Sequence, residues 1–195
     1  MREAIDVVID FFKLQVQSNS PIIGLIIGML VIILESIIPI LPLAVFIAVN
    51  MLIFGNIVGF IISWVATIIG CILAFTICKK GLSNIFYSKI KKDGKVKKIM
   101  NKISNIKFPN LVIITALPFT PAFAVNIAAG LSNISYRKFI AAILIAKVAV
   151  IYFWGFIGTT FIESITNINV LIELVLIMLG AYLISKIIMK RFDIE

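Results

Sequence analysis

The chain contains no histidine and two cysteines in 195 residues. Without histidine there is no Ser-His-Asp catalytic triad and no histidine-ligated metal or haem. Cys71 and Cys78 lie seven positions apart on one predicted helix, too far along its axis to form a disulfide. No histidine or carboxylate lies near them to complete a zinc site. We therefore read both as small buried apolar residues, and we expect no metal and no cofactor.

Acidic residues are also scarce, with nine Asp and Glu against eighteen Lys and Arg, for a formal net charge of +9. Ten lysines fall between Lys79 and Lys107, against the single acid Asp93. In a soluble protein such a cluster would suggest nucleic acid. Beside membrane spans it indicates instead a cytoplasmic segment that faces anionic lipid headgroups. Membrane lipids are therefore the expected partners, and nucleic acid is not.

What the chain has in abundance is apolar residues, which make up 62% of it, at a mean hydropathy of +1.16. This composition predicts an all-α polytopic membrane protein, folded as one membrane domain over residues 1–195. Such a domain leaves no room for a separate catalytic domain, and no nucleophile–base pair is evident, so we do not expect an enzyme. About four transmembrane helices are predicted, near residues 22–36, 59–78, 139–162 and 170–189.

Two further segments have amphipathic patterns. Residues 1–20 combine charged residues with apolar residues at helical spacing, which predicts a helix lying on the membrane surface. Residues 82–107 alternate lysines with apolar residues at three- and four-residue steps. This basic segment is either an amphipathic helix on the inner leaflet or a solvated linker helix, and both interpretations place it in the cytoplasm.

Prolines interrupt two of the apolar stretches, 37–54 and 108–131. A proline inside a helix removes a backbone hydrogen bond and clashes with the preceding turn. A broken backbone at membrane depth persists only where protein buries it or where it lines a watery cavity. We therefore predict that both stretches are re-entrant hairpins. Their prolines are Pro39 and Pro42 in the first and Pro118 and Pro121 in the second.

Charge sets the expected topology. The lysines before residue 108 and the basic pair Arg137-Lys138 should both be cytoplasmic. A segment 108–131 that crossed the membrane would put one of these groups outside, whereas re-entrance keeps both inside. The first hairpin then opens to the outside and both termini are cytoplasmic, in the cell membrane. Inverted halves with proline-broken helices are a known transporter plan; the alternative is two unrelated proline kinks.

Ten residues are candidates for a lipid pathway, namely Glu35, Pro39, Pro42, Asn50, Thr115, Pro118, Pro121, Asn126, Gly130 and Lys147. A carboxylate such as Glu35 costs roughly 2.5–3.5 kcal/mol at a helix centre, so it faces a cavity or a partner unless it lies at the outer interface. Lys147 either snorkels to the inner interface or points inward, to meet Glu35 or to bind phosphate. Asn50 and Asn126 either bind a lipid phosphate or join the hairpins. We expect Thr115, like Thr120, to hydrogen-bond the backbone carbonyls that the prolines free.

The two proline motifs resemble those of the DedA / SNARE-associated (VTT-domain) membrane proteins. The first is Glu35-x-x-x-Pro39-x-x-Pro42, and the second is Pro118-Phe-Thr-Pro121 followed by Asn126-Ile-Ala-Ala-Gly130. The resemblance implies paired re-entrant hairpins and a role in moving lipids between leaflets. The chain departs from the family in two ways. Thr115 stands where many members have an arginine, and the first hairpin contains no second acid.

These observations favour a flippase or scramblase that moves a phosphate-bearing lipid, such as undecaprenyl phosphate or a phospholipid. Two alternatives remain. One is a small-solute or ion carrier that uses Glu35, and the other is a membrane scaffold that acts through the basic segment 82–107. A homo-oligomer is compatible with each of the three, and the abundance of Ile, Lys and Asn hints at a bacterial source.

Overall fold

The computed structural model describes residues 21–37, 43–81, 103–164 and 166–192. The predicted surface helix 1–20, most of the basic segment 82–107, and both Pro39 and Pro42 lie outside these ranges. Within them the chain is helical and contains no strand, which agrees with the predicted all-α class. The helices are α1 (Pro21–Ile37), α2 (Leu43–Phe54), α3 (Asn56–Thr76, continued by a π-helical turn Ile77–Gly81), α4 (Phe108–Ala116), α5 (Ala122–Leu131), α6 (Tyr136–Glu163) and α7 (Ile168–Phe192).

Three of the described helices are long and apolar enough to cross a membrane: α3 with its π-helical turn, α6 and α7. They contain the predicted spans 59–78, 139–162 and 170–189. The fourth predicted span, 22–36, corresponds to α1. That helix has 17 residues and is about 25 Å long, which is less than the roughly 30 Å of a typical hydrocarbon core.

Local sequence explains where the long helices begin. Gly55 separates α2 from α3 with a positive φ of 79°, a backbone conformation that glycine adopts without a steric penalty. The Ser135 side chain accepts a hydrogen bond from the Lys138 backbone N–H at 3.3 Å and thereby caps α6. At the start of α7, the Asn167 side chain accepts a hydrogen bond from the Asn169 N–H at 3.2 Å.

The segment 108–131 is broken at its prolines into two short helices. Leu117, which precedes Pro118, is extended (φ −73°, ψ 126°), as expected for a residue before proline. Pro121 stands at the N-cap of α5. With nine and ten residues, α4 and α5 are each about 14–15 Å long, half the thickness of a hydrocarbon core. They pack on different partners, α4 on α6 and α5 on α3.

The two ends of this broken segment lie together. The backbone N–H of Asn133, just after α5, donates to Ser104 Oγ, just before α4, at 3.3 Å. The Lys138 ammonium also donates to the carbonyl of Ile106. The Lys79 ammonium, at the end of α3, donates to the carbonyls of Ser132 at 3.2 Å and Ile134 at 2.8 Å. The chain therefore leaves the broken segment where it entered it.

The largest core cluster lies beside this junction, between α3, α4, α5 and α6. It contains the fully buried Phe75, whose ring stacks on Phe139 with ring centroids 4.3 Å apart. Gly130 allows α5 to approach α3 closely, because a Cβ at this position would lie 2.6 Å from the Phe75 carbonyl oxygen. The last helix contributes little to the core, since only 11% of its most apolar window is buried.

Candidate functional site

A cavity of 390 Å³ lies where α1, α2, α3 and α6 meet the break between α4 and α5. Every residue of the break that contains Pro118 and Pro121 lines it, except Phe119. Most of the wall is apolar. The polar side chains on it are Glu35, Ser36, Thr67, Thr120 and Lys147.

Lys147 places a cation near the middle of α6. Its side chain is only 3% exposed, and within the described ranges its ammonium has no hydrogen-bond partner. The neighbouring Ala146 and Val150 on the same helix are buried and apolar. Such a charge is costly unless another charge or a ligand compensates for it. The burial of Lys147 and its place on the cavity wall therefore argue against a lysine that extends to the membrane surface.

Glu35 faces the same cavity from the last turn of α1 and is half-buried. Its charge and that of Lys147 attract each other without a direct ion pair between the two side chains. A carboxylate at the C-terminal end of a helix opposes the helix dipole, so helix stability does not account for its position. Glu35 and Lys147 therefore present groups of opposite charge to one cavity from two of its walls.

Two threonines near the break have different surroundings. The Thr115 hydroxyl donates to the carbonyls of Leu111, at 2.7 Å, and Val112, at 3.2 Å, within its own helix. Thr115 does not line the cavity. Thr120 does line it, is 8% exposed, and its Oγ1 has no hydrogen-bond partner in the described part of the chain. The expectation that these threonines bind the carbonyls freed by the prolines is therefore wrong. Thr115 binds carbonyls of an intact turn of α4, and the described non-helical residues around Thr120 bring no carbonyl within reach of its hydroxyl.

The remaining predicted residues lie at helix contacts away from the cavity. Asn50 donates to Ser63 Oγ at 3.1 Å, and a Cβ on Gly28 would lie 2.4 Å from its Oδ1, so it joins α1, α2 and α3. Asn126 is 1% exposed, and its Nδ2 has no partner among the described residues. Gly130 lies at the close contact between α5 and α3.

Of the ten residues predicted for a lipid pathway, the cavity brings together Glu35, Pro118, Pro121 and Lys147. Asn50, Thr115, Asn126 and Gly130 lie outside its lining, and Pro39 and Pro42 lie outside the described residues. The predicted set omitted Thr120. Its position between the two prolines of the break was the available signal, because residues there have few helical neighbours to bind their hydroxyl.

A second cavity, an apolar crevice of 480 Å³, adjoins the first. It lies between α2, α6 and α7, and only apolar residues line it. Ala44 and Trp154 line both the cavity and the crevice. The Trp154 ring also meets Phe119 of the break at 5.4 Å, and Phe119 meets Tyr182 of α7 at 5.7 Å. We call the first cavity the polar cavity, because Glu35, Thr120 and Lys147 line it. The polar cavity and the apolar crevice thus share the wall that Ala44 and Trp154 form.

Comparison with known proteins gives relatives but no assigned activity. Two Bacillus subtilis (strain 168) proteins are similar to the chain. "Uncharacterized membrane protein YhjE" is 36% identical over 135 residues, which is 69% of this chain and 65% of that protein. "Uncharacterized protein YqeD" is 24% identical over 137 residues, which is 70% of this chain and 66% of that protein. The match therefore spans about two thirds of these relatives' length. No solved structure matches the chain.

The family model described as the VTT domain matches residues 38–160, which is more than half of the chain. The matched range contains the break at Pro118 and Pro121, Thr120 and Lys147, whereas Glu35 lies three residues before it. The polar cavity is thus built mainly from the matched range. By this match and by its similarity to a membrane protein of Bacillus subtilis, the chain belongs to the VTT-domain (DedA) family of membrane proteins.

Proposed function

We propose that this protein moves a phosphate-bearing lipid between the two leaflets of the cell membrane. The headgroup passes through the polar cavity while the acyl or prenyl chain remains in the apolar crevice. The observation that carries the proposal is the wall that the two cavities share at Ala44 and Trp154. An amphipathic substrate needs both environments side by side, since a charged headgroup is costly in hydrocarbon and a lipid tail is costly in water.

The broken segment 108–131 supports a re-entrant arrangement in this proposal. Its two ends lie together and hydrogen-bond through Ser104 and Asn133. Each of its helices has half the length needed to cross the hydrocarbon core. A segment that enters and leaves by one face of the membrane has these properties. The break would then lie at membrane depth, where irregular backbone must line a cavity or be buried.

The positions of the basic residues support a cytoplasmic location for this junction. Lys79 and Lys138 bind the backbone at the two ends of the broken segment. Phe192, next to the basic pair that ends α7, packs on the same core cluster as Ile103 and Ile106. Basic residues from three helices therefore gather at one end of the molecule, the pattern expected on the cytoplasmic side. In this orientation the C-terminal end of α7 is cytoplasmic.

Reconstitution into liposomes tests the proposal. The purified full-length chain is expected to speed the transbilayer movement of labelled phospholipid or undecaprenyl phosphate above protein-free vesicles. Glu35→Gln and Lys147→Gln should each slow it, because each leaves the other charge unbalanced in the cavity. The matched controls are Glu173→Gln and Lys186→Gln, which change exposed residues of α7 and should not alter the rate.

Two results would contradict the proposal. If both lipids move at the rate seen in protein-free vesicles, lipid transport is excluded as the function. Uptake of a small solute or an ion without lipid movement would show that the protein is instead a small-solute or ion carrier that uses Glu35. The apolar crevice argues against that alternative, because a small polar solute would make no favourable contacts with an apolar compartment of 480 Å³ beside its site.

A further inference from the structure

The N-terminal end of α5 opens into the polar cavity. Ala122 and Phe123, the first residues of this ten-residue helix, line it, and no side chain caps the helix N-terminus. The first N–H groups of a helix have no partner within it, and they carry the positive end of the helix dipole. These amides therefore give the cavity a positive potential that a bound anion would satisfy.

Two buried polar side chains on the same cavity independently indicate a ligand. The Thr120 hydroxyl, directly before the proline at the N-cap of α5, is 92% buried and has no partner in the part of the chain that the structure describes. Lys147 is 97% buried as a whole residue and lines the same cavity, and its ammonium makes no hydrogen bond to the described residues. Burial of unpaired polar groups is unfavourable, and native structures satisfy nearly all of them. An oxyanion that accepts hydrogen bonds from the Thr120 hydroxyl and the Lys147 ammonium would satisfy both groups.

We infer that Lys147, Thr120 and the N-terminal amides of α5 form a binding site for a phosphate group. This deepens the proposed function and rests on it where the phosphate belongs to a lipid. Lys147 supplies the charge, Thr120 donates one hydrogen bond, and the α5 amides donate to the remaining oxygens. Glu35 balances Lys147 while the site is empty and repels the phosphate once it has bound.

The opposed roles of the two charges give a test whose sign is fixed in advance. Removing the cation weakens phosphate binding, whereas removing the carboxylate strengthens it. If the two charges only stabilised the fold, removal of either one would affect phosphate binding in the same direction.

The experiment is calorimetric titration of the purified full-length chain in detergent. The probes are inorganic phosphate, the short-chain lipid dihexanoyl phosphatidic acid, and dihexanoylglycerol as the lipid without phosphate. Lys147→Gln and Thr120→Val should each weaken binding of phosphatidic acid about tenfold or more, the typical worth of a hydrogen bond to a charged group. Glu35→Gln should tighten it. Lys186→Gln and Thr166→Val, on exposed residues, are the matched controls and should bind like the parent chain.

Two conservative variants separate a lost contact from a lost fold. Thr120→Ser retains the hydroxyl and should restore binding, and Lys147→Arg should retain most of it. Melting temperatures of all variants are measured in the same detergent. If Thr120→Val or Lys147→Gln does not fold, the comparison of Thr120→Ser, Lys147→Arg and Glu35→Gln with the parent still decides the outcome.

Each outcome bears on the inference. Phosphatidic acid that binds while inorganic phosphate does not assigns the site to a lipid headgroup, and equal binding of both assigns it to phosphate from either source. Equal affinity for dihexanoylglycerol, no effect of Lys147→Gln and Thr120→Val, or weaker binding in Glu35→Gln overturns the inference. If the protein moves lipid in liposomes but Lys147→Gln and Thr120→Val bind phosphatidic acid like the parent chain, the proposed function holds and this binding site does not. Phosphate binding at the site without any lipid movement refutes the proposed function instead.

Discussion

The electrostatic coupling of Glu35 and Lys147 can be measured with a double-mutant cycle. Both side chains line a cavity of 390 Å³, and a sphere of that volume is about 9 Å across. Two unit charges at roughly that separation attract by about 2 kcal/mol at an effective dielectric constant of about 20. Each single change, Glu35→Gln or Lys147→Gln, loses this attraction. The double change loses it only once. The sum of the two single losses in unfolding free energy should therefore exceed the loss in the double variant.

The assay is the free energy of unfolding of the parent, the two single variants and the double variant, measured by detergent titration in mixed micelles. The cycle cancels the desolvation cost of each charge and leaves the coupling, which we expect to be about 2 kcal/mol. Distant, independent sites add to within about 0.5 kcal/mol. A coupling below that limit would refute the view that these charges balance each other in the cavity. A parallel cycle with Glu173 and Lys186, exposed residues of α7, controls for general charge effects.

Three further changes test the packing and the crevice. Gly130→Ala should lower the melting temperature, because its Cβ would lie 2.6 Å from the α3 backbone and overpacking costs about 1–3 kcal/mol. Gly180→Ala, with no atom within 4 Å of the added Cβ, should not lower it. Asn50→Leu should also lower it, since it removes a buried 3.1 Å hydrogen bond to α3 and leaves its partner unsatisfied at a cost of about 1–3 kcal/mol; an unchanged melting temperature would show that the contact contributes little. Val175→Trp, which adds bulk to the crevice wall at a position 63% exposed, should slow lipid movement without changing the melting temperature. Leu176→Trp, 61% exposed and outside the crevice lining, should move lipid at the parent rate, and equal rates in both variants would exclude the crevice from the pathway.

Apolar length and proline chemistry predict much of the helical arrangement. The spans expected at 59–78, 139–162 and 170–189 fall within α3 with its π-helical turn, α6 and α7, because long apolar runs have few alternatives to helix. The break at Pro118 and Pro121 also follows directly from the missing N–H and the restricted preceding residue. The exact ends were less predictable. The helix α3 begins at Asn56, three residues before the expected position, directly after Gly55 with its positive φ of 79°.

The site is harder to read from sequence because it depends on tertiary packing. Glu35 and Lys147 are 112 positions apart, and a meeting with Glu35 was one of several options for the lysine. The rotation of α6 decides between a lysine that extends to the surface and one that faces the cavity. Rotation also directs Asn50 to Ser63. Thr115 and Thr120 have the same side chain five positions apart, yet only Thr115 has carbonyls of its own helix within reach.

The sparse burial of α7 has a consequence for the bilayer around the protein. This helix has 25 residues and is about 37 Å long, longer than a hydrocarbon core of roughly 30 Å. An excess of length is accommodated by tilting, and a thinner bilayer demands a larger tilt. Because α7 contributes one wall of the crevice and meets Phe119 through Tyr182, its tilt changes the width of the crevice. The thickness of the surrounding membrane is therefore expected to change the rate of the proposed lipid transport without any bound ligand.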